Sequence, residues 1–564
     1  MCSSDLLNRL LIIISLLVTG NLLASTTLTA IEEAFERGEL TQDERILNKV
    51  YAMLEPELLD PRFQEIEIGT IKCGTPILIE YEALQPQLSQ TTIDIIEGLL
   101  LPSVDGLRET FFSPGGHFSF NYATTGIDAV PATDSDASGV PDFVEWAATY
   151  LDYTWAQEVD SAGFAGPNHA GGDGFYNVSF ESMGPYGYCT TSGLDVGATE
   201  LTRLVLHNSY VGFGANQDPE GNVKGAMKVT CAHEFKHASQ RSESSWSEDG
   251  WVELDATWAE EFVYNYVNDS MLNFMGSGDP YSHPHWGLDH GGTGSYEDYA
   301  WEDFMHQRFD ANSYTTAPIL EYFWDWRQTH TTQNVMTSYA QALTQYGSSL
   351  PEAFAEYVVW NFFTGSRAVI VDGISQFGYD DAGVNGYPTA TLTSTHNSYP
   401  VSSSVTGIEN LGSRMIRLNT SNQLGLEIEF DGQDGVEMSA MWAIRQDDNT
   451  VDWGSIDLDG SNDGSIVLDV RDATMAALIP VVTQITGTTY GASYSIELNS
   501  LAECDPGDID DSGIIDVTDL VRLVAIILGN GAPANDVELC AADVNDDGQP
   551  NIQDVITLVD LILQ

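Results

Sequence analysis

Basic residues are scarce in this chain: 20 Lys and Arg stand against 84 Asp and Glu, a formal net charge of −64 over 564 residues. A surface so acidic repels nucleic acid and anionic membranes, while favouring solubility and cation binding. A salt-rich habitat would relieve the self-repulsion, and calcium sites would account for part of the excess. Long apolar runs are also missing. The run from Leu10 to Leu23 is 14 residues, too short to span a bilayer comfortably. It has the form of a secretory h-region, with Ala24 or Ala30 closing a small-residue cleavage site, so residues 1–24 are expected to leave as a signal peptide. No other stretch is long and apolar enough for a membrane span, and the mature product is expected to be secreted, extracellular or surface-associated. Cysteine is sparse as well: six residues, of which Cys2 departs with the leader, leaving an odd five. No Ser/His/Asp elbow, phosphate loop or basic nucleic-acid patch is present. At this length three or more modules are expected.

What is present is led by His233-Glu234-Phe235-Lys236-His237. On a helix this pattern sets two imidazoles one turn apart on one face, as a zinc ion needs, and puts Glu234 beside the metal's open position. A carboxylate there takes a proton from water and passes it to a leaving amine. The context agrees: Leu204 to Tyr210 can form a strand, a Gly/Asn-rich loop runs from Gly212 to Gly225, and Ala226 to Ser239 has helical apolar spacing. The pattern reads as a zinc peptidase with one catalytic Zn2+ and a protein or peptide substrate. That substrate is expected to add main-chain hydrogen bonds along the strand ahead of the helix.

Two histidines do not hold catalytic zinc, so a third protein ligand is required. Glu253-Leu254-Asp255-Ala256-Thr257-Trp258 resembles the gluzincin Glu-Gly-x-Ala-x-Tyr/Trp motif, with Leu254 where glycine is usual. The resemblance implies Glu253 as ligand and leaves Glu260 and Glu261 as alternatives, because only 15 residues separate His237 from Glu253. Glu at position 243 sets the chain apart from metzincins. Tyr296, Tyr299 and His290 are candidate stabilisers of a tetrahedral oxyanion, though spacing does not choose among them and a packed tyrosine is the plain alternative. Across about residues 30 to 440 the chain resembles a family of secreted, multidomain bacterial metalloproteases. The resemblance rests on Lys72 to Pro76, the Gly139-Val140-Pro141-Asp142 turn, the Ala232 to His237 helix, the Glu253 to Tyr264 helix and the stretch Ala353 to Arg367.

Residues 28–100 read as a propeptide-like region with a helix-rich start and a strand-like EIEIGTI. Within it, Lys72-Cys73-Gly74-Thr75-Pro76 resembles the cysteine switch of matrix metalloproteases, which implies a thiolate in the fourth position of the zinc. Cys504 and Cys540 precede two similar acidic loops and are expected to form a disulfide; Cys189 is expected to pair with Cys231, both in the presumed catalytic module, which leaves Cys73 free. Asp134, Asp136, Ser138, the Val140 carbonyl and Asp142 place oxygen donors around a Gly turn, a candidate calcium site.

Two further loops follow EF-hand logic. The first offers Asp508, Asp510, Ser512, Ile514, Asp516 and Asp519. The second, 35 residues on, offers Asp543, Asn545, Asp547, Gln549, Asn551 and Asp554. Each runs into an apolar helix. The duplication resembles a type I dockerin, which implies two Ca2+ and a cohesin domain of a scaffold or surface protein as partner. Pro550 stands where an aliphatic residue is usual, and Val517-Thr518 and Ile552-Gln553 depart from the common Ser-Thr pair. Between Cys504 and Gln564 there are 13 Asp or Glu and one Arg, so calcium is expected to be a folding cofactor.

The expected architecture is multidomain α+β. It comprises a zincin-like metalloprotease domain (101–400), a β-sandwich domain (405–500) and a small all-α dockerin domain (504–564) with paired EF-hand-like loops. In the sandwich, Leu424, Leu426, Ile428 and Phe430 alternate with polar residues, as do Ile466, Leu468 and Val470, and Tyr494, Ile496 and Leu498. Two rival readings stand beside the peptidase: a non-catalytic scaffold or adhesion component, and a zinc hydrolase of a non-peptide bond.

Overall fold

The computed structural model describes residues 26–66, 71–167, 174–194, 201–244, 249–275, 280–288, 296–310, 314–383, 385–421, 423–485, 487–499, 504–545 and 548–563. The 1–24 segment, most of EIEIGTI, His290 and Asp547 lie outside them. The architecture is mixed α/β, with several sheets and 15 α-helices among the described residues. No described helix is long and apolar enough to cross a membrane.

Two helices begin the fold, α1 (Thr26–Glu36) and α2 (Gln42–Leu54). Thr41 starts α2 because its hydroxyl accepts from the Glu44 N–H while the Glu44 carboxylate accepts from the Thr41 N–H. Strand β1 (Ile71–Cys73) follows, then α3 (Thr75–Leu84) and α4 (Gln90–Leu99). Next come β2 (Arg108–Phe112), β3 (Phe118–Ala123), α5 (Asp142–Trp155), β4 (Tyr176–Glu181), β5 (Pro185–Thr190), β6 (Arg203–His207), α6 (Asn222–Glu243), α7 (Asp249–Tyr264) and the short α8 (Asp269–Asn273).

Six strands make one sheet in the order β1-β5-β6-β4-β3-β2. The side-chain period of two sends Tyr188 and Val205 to one face, against Ile77, Leu78 and Tyr81 of α3. Cys189, Leu204 and Leu206 go to the other, against the aromatic core under α5 and α6. Both faces are therefore covered, which is why these strands are continuously apolar. Residue 100 does not divide two cores, since β1 and α3 come from before it and complete this sheet and its outer face.

The edge of the sheet differs from expectation. Strand β6 lies between β5 and β4, so its backbone is already paired on both sides. The free edge belongs to β5, antiparallel to β6, and β1 takes it in parallel register with Cys73 opposite Gly187. Gly187 is required at that point: a Cβ there would lie 2.7 Å from Thr230 Cγ2 and 2.8 Å from Glu234 Cγ, so its absence lets α6 press against the strand.

Helices α9 (Tyr299–Phe309), α10 (Pro318–Thr329), α11 (Val335–Gln345) and α12 (Leu350–Phe362) bury Trp301, Phe304, Tyr339 and Tyr357 against one another. A small ribbon, β7 (Ile370–Val371) with β8 (Ile374–Ser375), leads to two packed sheets built from β9 (Ser394–His396), β10 (Val401–Glu409), β11 (Gly412–Ser413), β12 (Ile416–Leu418), β13 (Gly425–Gly432), β14 (Met438–Gln446), β15 (Val451–Ser455), β16 (Asp463–Asp469), β17 (Ala473–Val482) and β18 (Thr489–Asn499). One sheet runs β10-β18-β13-β16, the other β15-β14-β17-β12-β9. Leu426, Ile428, Phe430, Leu468, Tyr494 and Ile496 fill the space between them, whereas Leu424 and Leu498 are exposed at strand ends. The second sheet also packs outward: Met441, Ala477 and Ile479 join the core beneath α12. The tail holds α13 (Val517–Ile527), α14 (Asp536–Ala542) and α15 (Ile552–Ile562) around Ile509, Leu523 and Leu558. The Cys504–Cys540 disulfide is formed.

Cys189 and Cys231 are free, a correction to their expected pairing. Cys189 lies on β5 beside the Thr202 and Tyr176 hydroxyls, while Cys231 lies on α6 beside Tyr210 and Tyr264, so each thiol has its own neighbours within the core they share.

Candidate metal centre

Helix α6 is buried almost all round, and one face carries His233 and His237 with ring centroids 4.8 Å apart. Helix α7 crosses it and brings Glu253; β1 brings Cys73 from the opposite side. The donor atoms of Cys73, His233, His237 and Glu253 all lie within 4.8 Å of one another, and all four residues are buried. His237 Nε2 is 3.2 Å from His233 Nε2, 2.9 Å from Glu253 Oε1 and 3.5 Å from Cys73 Sγ; His233 Nε2 is 3.2 Å from Glu253 Oε2. Tetrahedral zinc with N, O and S ligands requires edges of about 3.3 to 3.6 Å.

The imidazole tautomers decide what those short distances mean. His233 Nδ1 meets the Glu260 carboxylate at 2.8 Å, an acceptor only, so Nδ1 carries the proton. Gln240 donates its amide to Val252 O at 2.9 Å and to Asp255 Oδ2 at 2.6 Å, which turns its oxygen toward His237 Nδ1 at 2.9 Å and protonates that nitrogen too. Both Nε2 atoms then present lone pairs to each other and to a carboxylate. Such a set repels itself unless a cation lies among its members, and two imidazoles, a carboxylate and a thiol are a donor set that suits zinc. Protons can serve instead. Burial opposes a charge on His233, but Glu253 and Glu260 outweigh it and push its pKa up to about 10. Burial likewise opposes charge on Glu253, and the two histidines nevertheless hold it well below the usual carboxylate range.

Glu234 lies beside the cluster. Burial raises its pKa. Its Oε2 accepts from Thr75 Oγ1 at 3.2 Å and Cys73 Sγ at 3.6 Å, and Oε1 has no protein hydrogen-bond partner. Burial, then the carboxylates of Glu234 and Glu253, pushes the Cys73 thiol well above its ordinary value.

The remaining candidates divide cleanly. Glu260 supports His233 from behind rather than joining the four donors, and its other oxygen takes Lys72 Nζ at 2.8 Å. Glu261 points to the other side of α7, toward Asp381 and Asp303, where burial drives its pKa well up. Tyr296 sits at the cluster: its oxygen meets the backbone N–H of Cys73, and Glu253 and Glu234 are close enough to raise its pKa beyond what burial does. Tyr299 packs into the aromatic core against Tyr387, with Glu261 and Asp303 as its charged neighbours. Lys72 and Glu260 stood in the sequence as part of a thiol motif and as an alternative ligand, but their pairing joins residues 188 positions apart; Gln240 was missed although it lies three residues from His237.

Three acidic loops share a local feature, an aspartate that accepts from the N–H of a left-handed glycine five residues on. Asp508, Asp510 and Asp519 converge, as do Asp134, Asp136 and Asp142. In the first, Asp508 accepts from the Ser512 and Gly513 N–H groups at 2.9 and 2.7 Å; in the second, Asp134 accepts from Ser138 and Gly139 at 3.1 and 3.0 Å. Gly548 likewise donates to Asp543 at 2.7 Å. Gly139, Gly513 and Gly548 all have φ near +80 to +90°, the left-handed turn that EF-hand-like loops need at position six. Asp519 and Asp554 occupy position twelve, fully buried. In the Asp134 loop that position is Glu145, whose carboxylate accepts from Ser138 Oγ at 2.9 Å. Counting twelve residues from Asp134 would have found it. Ser512, Ile514 and Asp516 complete the first tail loop, where Ser512 Oγ meets Ile514 O and Asp516 caps α13; Asn545, Gln549 and Asn551 occupy the equivalent places in the second.

No family model matches this chain, and no curated protein does. Among solved structures it is similar to the pre-peptidase C-terminal domain of a collagenase from Bacillus anthracis, at 9% identity with a TM-score of 0.17, covering 20% of this chain and 100% of that one. A likeness so slight carries no argument about the metal centre or the acidic loops.

Proposed function

We propose that this chain is a secreted, zinc-dependent peptide hydrolase of the zincin type, attached through a calcium-loaded, dockerin-like tail to a cohesin-bearing partner. The observation that carries the hydrolase reading is the convergence of both Nε2 atoms with the Glu253 carboxylate, each imidazole being held from behind through its Nδ1. His233, His237 and Glu253 would hold zinc, which supplies Lewis acidity toward a carbonyl oxygen. Glu234 holds and moves the proton: its burial makes it a stronger base than an ordinary carboxylate, and Oε1 is free to take a proton from water and return it to the leaving amine. Tyr296 faces the same space and is the better placed of the two tyrosines to hydrogen-bond a developing oxyanion. With β1 on the edge of β5 and Cys73 as fourth donor, the described state is latent. Peptide reaches the cluster only after Ile71 to Thr75 swings out.

A second reading has its own support. Four buried protein donors also describe a closed, structural zinc site. Metal analysis with Cys73→Ser separates the two. The hydrolase reading expects one zinc retained and peptide cleavage gained, abolished by Glu234→Gln; a structural site expects zinc lost and no cleavage in any form.

A further inference from the structure

Lys72 is a cation in an improbable place. Its side chain is 2% exposed, and Nζ lies 2.8 Å from Glu260 Oε2 and 2.8 Å from Asp269 Oδ2. The Tyr186 and Phe274 rings flank it, with centroids 5.1 and 4.8 Å from Nζ. The walls belong to the body of the fold: Tyr186 to β5, Glu260 to α7, Asp269 to α8 and Phe274 just beyond it. Their polar atoms are held in place independently of Lys72. Ser270 Oγ donates to Glu260 Oε2 at 3.0 Å, and Asn273 Nδ2 donates to Asp269 Oδ1 at 3.0 Å. Lys72 itself arrives on β1, the strand that occupies the substrate edge, one residue before the thiol at the metal centre. Glu260 joins the two places, with one oxygen on Lys72 and the other on His233.

We infer that this pocket is a substrate subsite selective for a lysine side chain beside the scissile bond, filled in the latent chain by Lys72. The inference rests on the hydrolase reading above. When β1 leaves, two desolvated carboxylates remain between two aromatic faces with no cation to balance them. A substrate lysine restores the lost charge pair and the cation–π contacts; a neutral side chain of the same length restores neither, and a carboxylate adds repulsion. The pocket depth, set by the four-carbon stem of Lys72, favours lysine over the longer, planar arginine.

Two experiments test it. In the first, the full chain carrying Lys72→Ala is melted with and without millimolar n-butylammonium. The amine should raise its melting temperature by several degrees, with little effect on the wild type, and adding Asp269→Asn should remove the response. A Lys72→Ala chain that responds no more to butylammonium than to butanol or tetramethylammonium overturns the pocket. In the second, zinc-loaded Lys72→Ala, Cys73→Ser protein meets peptides differing only in lysine, norleucine, arginine or glutamate at one place. kcat/KM should favour lysine over norleucine at least tenfold, and Asp269→Asn should bring that ratio toward one. Equal rates with lysine and norleucine overturn the specificity and leave the hydrolase standing. Recovery by butylammonium with no peptide cut retires the hydrolase and leaves the cation pocket standing.

Discussion

The centre at Cys73, His233, His237 and Glu253 and the acidic loop from Asp508 to Asp519 both gather oxygen or nitrogen donors, but they achieve it by opposite means. At the centre every donor is buried, and each imidazole is aimed by a second residue: Glu260 holds His233, Gln240 holds His237, and Asp255 in turn holds Gln240. In the loop the backbone does the aiming. Asp508 and Asp519 are gripped by main-chain N–H groups, while Asp510 stays exposed. A centre built from distant side chains is set by the folded core around it. A loop built from twelve consecutive residues has little apolar surface behind it: among the described residues five make up the buried core of the tail, so under the proposed function an ion would supply much of its stability.

The largest expected break in that comparison comes at the centre. Glu234→Gln should keep the zinc and lower kcat/KM by about 10³-fold, since general-base removal costs roughly 10² to 10⁴; inductively coupled plasma analysis beside the peptide assay checks both halves. Withdrawing calcium should act the other way round. A calcium-selective chelator should unfold residues 504–564 and abolish cohesin capture, with the main melting transition of the sheet domain kept, as followed by calorimetry and pull-down. Glu260→Gln, which weakens the carboxylate behind His233, should lower zinc affinity about 10- to 100-fold without changing the metal count at saturation.

The smallest effect compares two buried imidazoles. His233 has carboxylates on both sides and is pushed up, whereas His207 on β6 has none, and burial lowers its pKa to about 4. Its Nδ1 accepts from the Ser209 and Tyr210 N–H groups, each at 3.0 Å, a role only the neutral ring can fill. Being neutral in the fold and charged in the unfolded chain between about pH 6.5 and 4, His207 contributes stability that is complete above that window and is lost as the pH falls through it. The loss should reach about 3 kcal/mol, and His207→Asn should flatten the slope of denaturation midpoint against pH over that range.

The legibility of each feature followed how local its physics is. The helix spanning His233 and His237, the three glycine-turn loops and the alternating strands of the sandwich depend on neighbours a few residues away, so their periods and spacings show in the chain. Glu253 needed a motif resemblance, because only the crossing of α7 over α6 brings it to the histidines. Cys189 and Cys231 misled for the same reason: membership of one module says nothing of which neighbours a thiol meets in the packed core. Glu145 was readable and missed, a matter of counting to the twelfth position.

The chain alone determined that imidazoles would share a helix face, that acidic loops would coil around glycine, and that the surface would be strongly negative. These follow from 3.6 residues per turn, from the left-handed turn glycine permits, and from charge. Only the tertiary structure decided that β1 would fill the outer edge of the sheet and that Lys72 would lie between Glu260 and Asp269, whereas the motif around Cys73 had already implied its place beside the histidines. Those contacts join residues up to 197 positions apart, and no local period encodes which distant side chains a packed core will bring face to face.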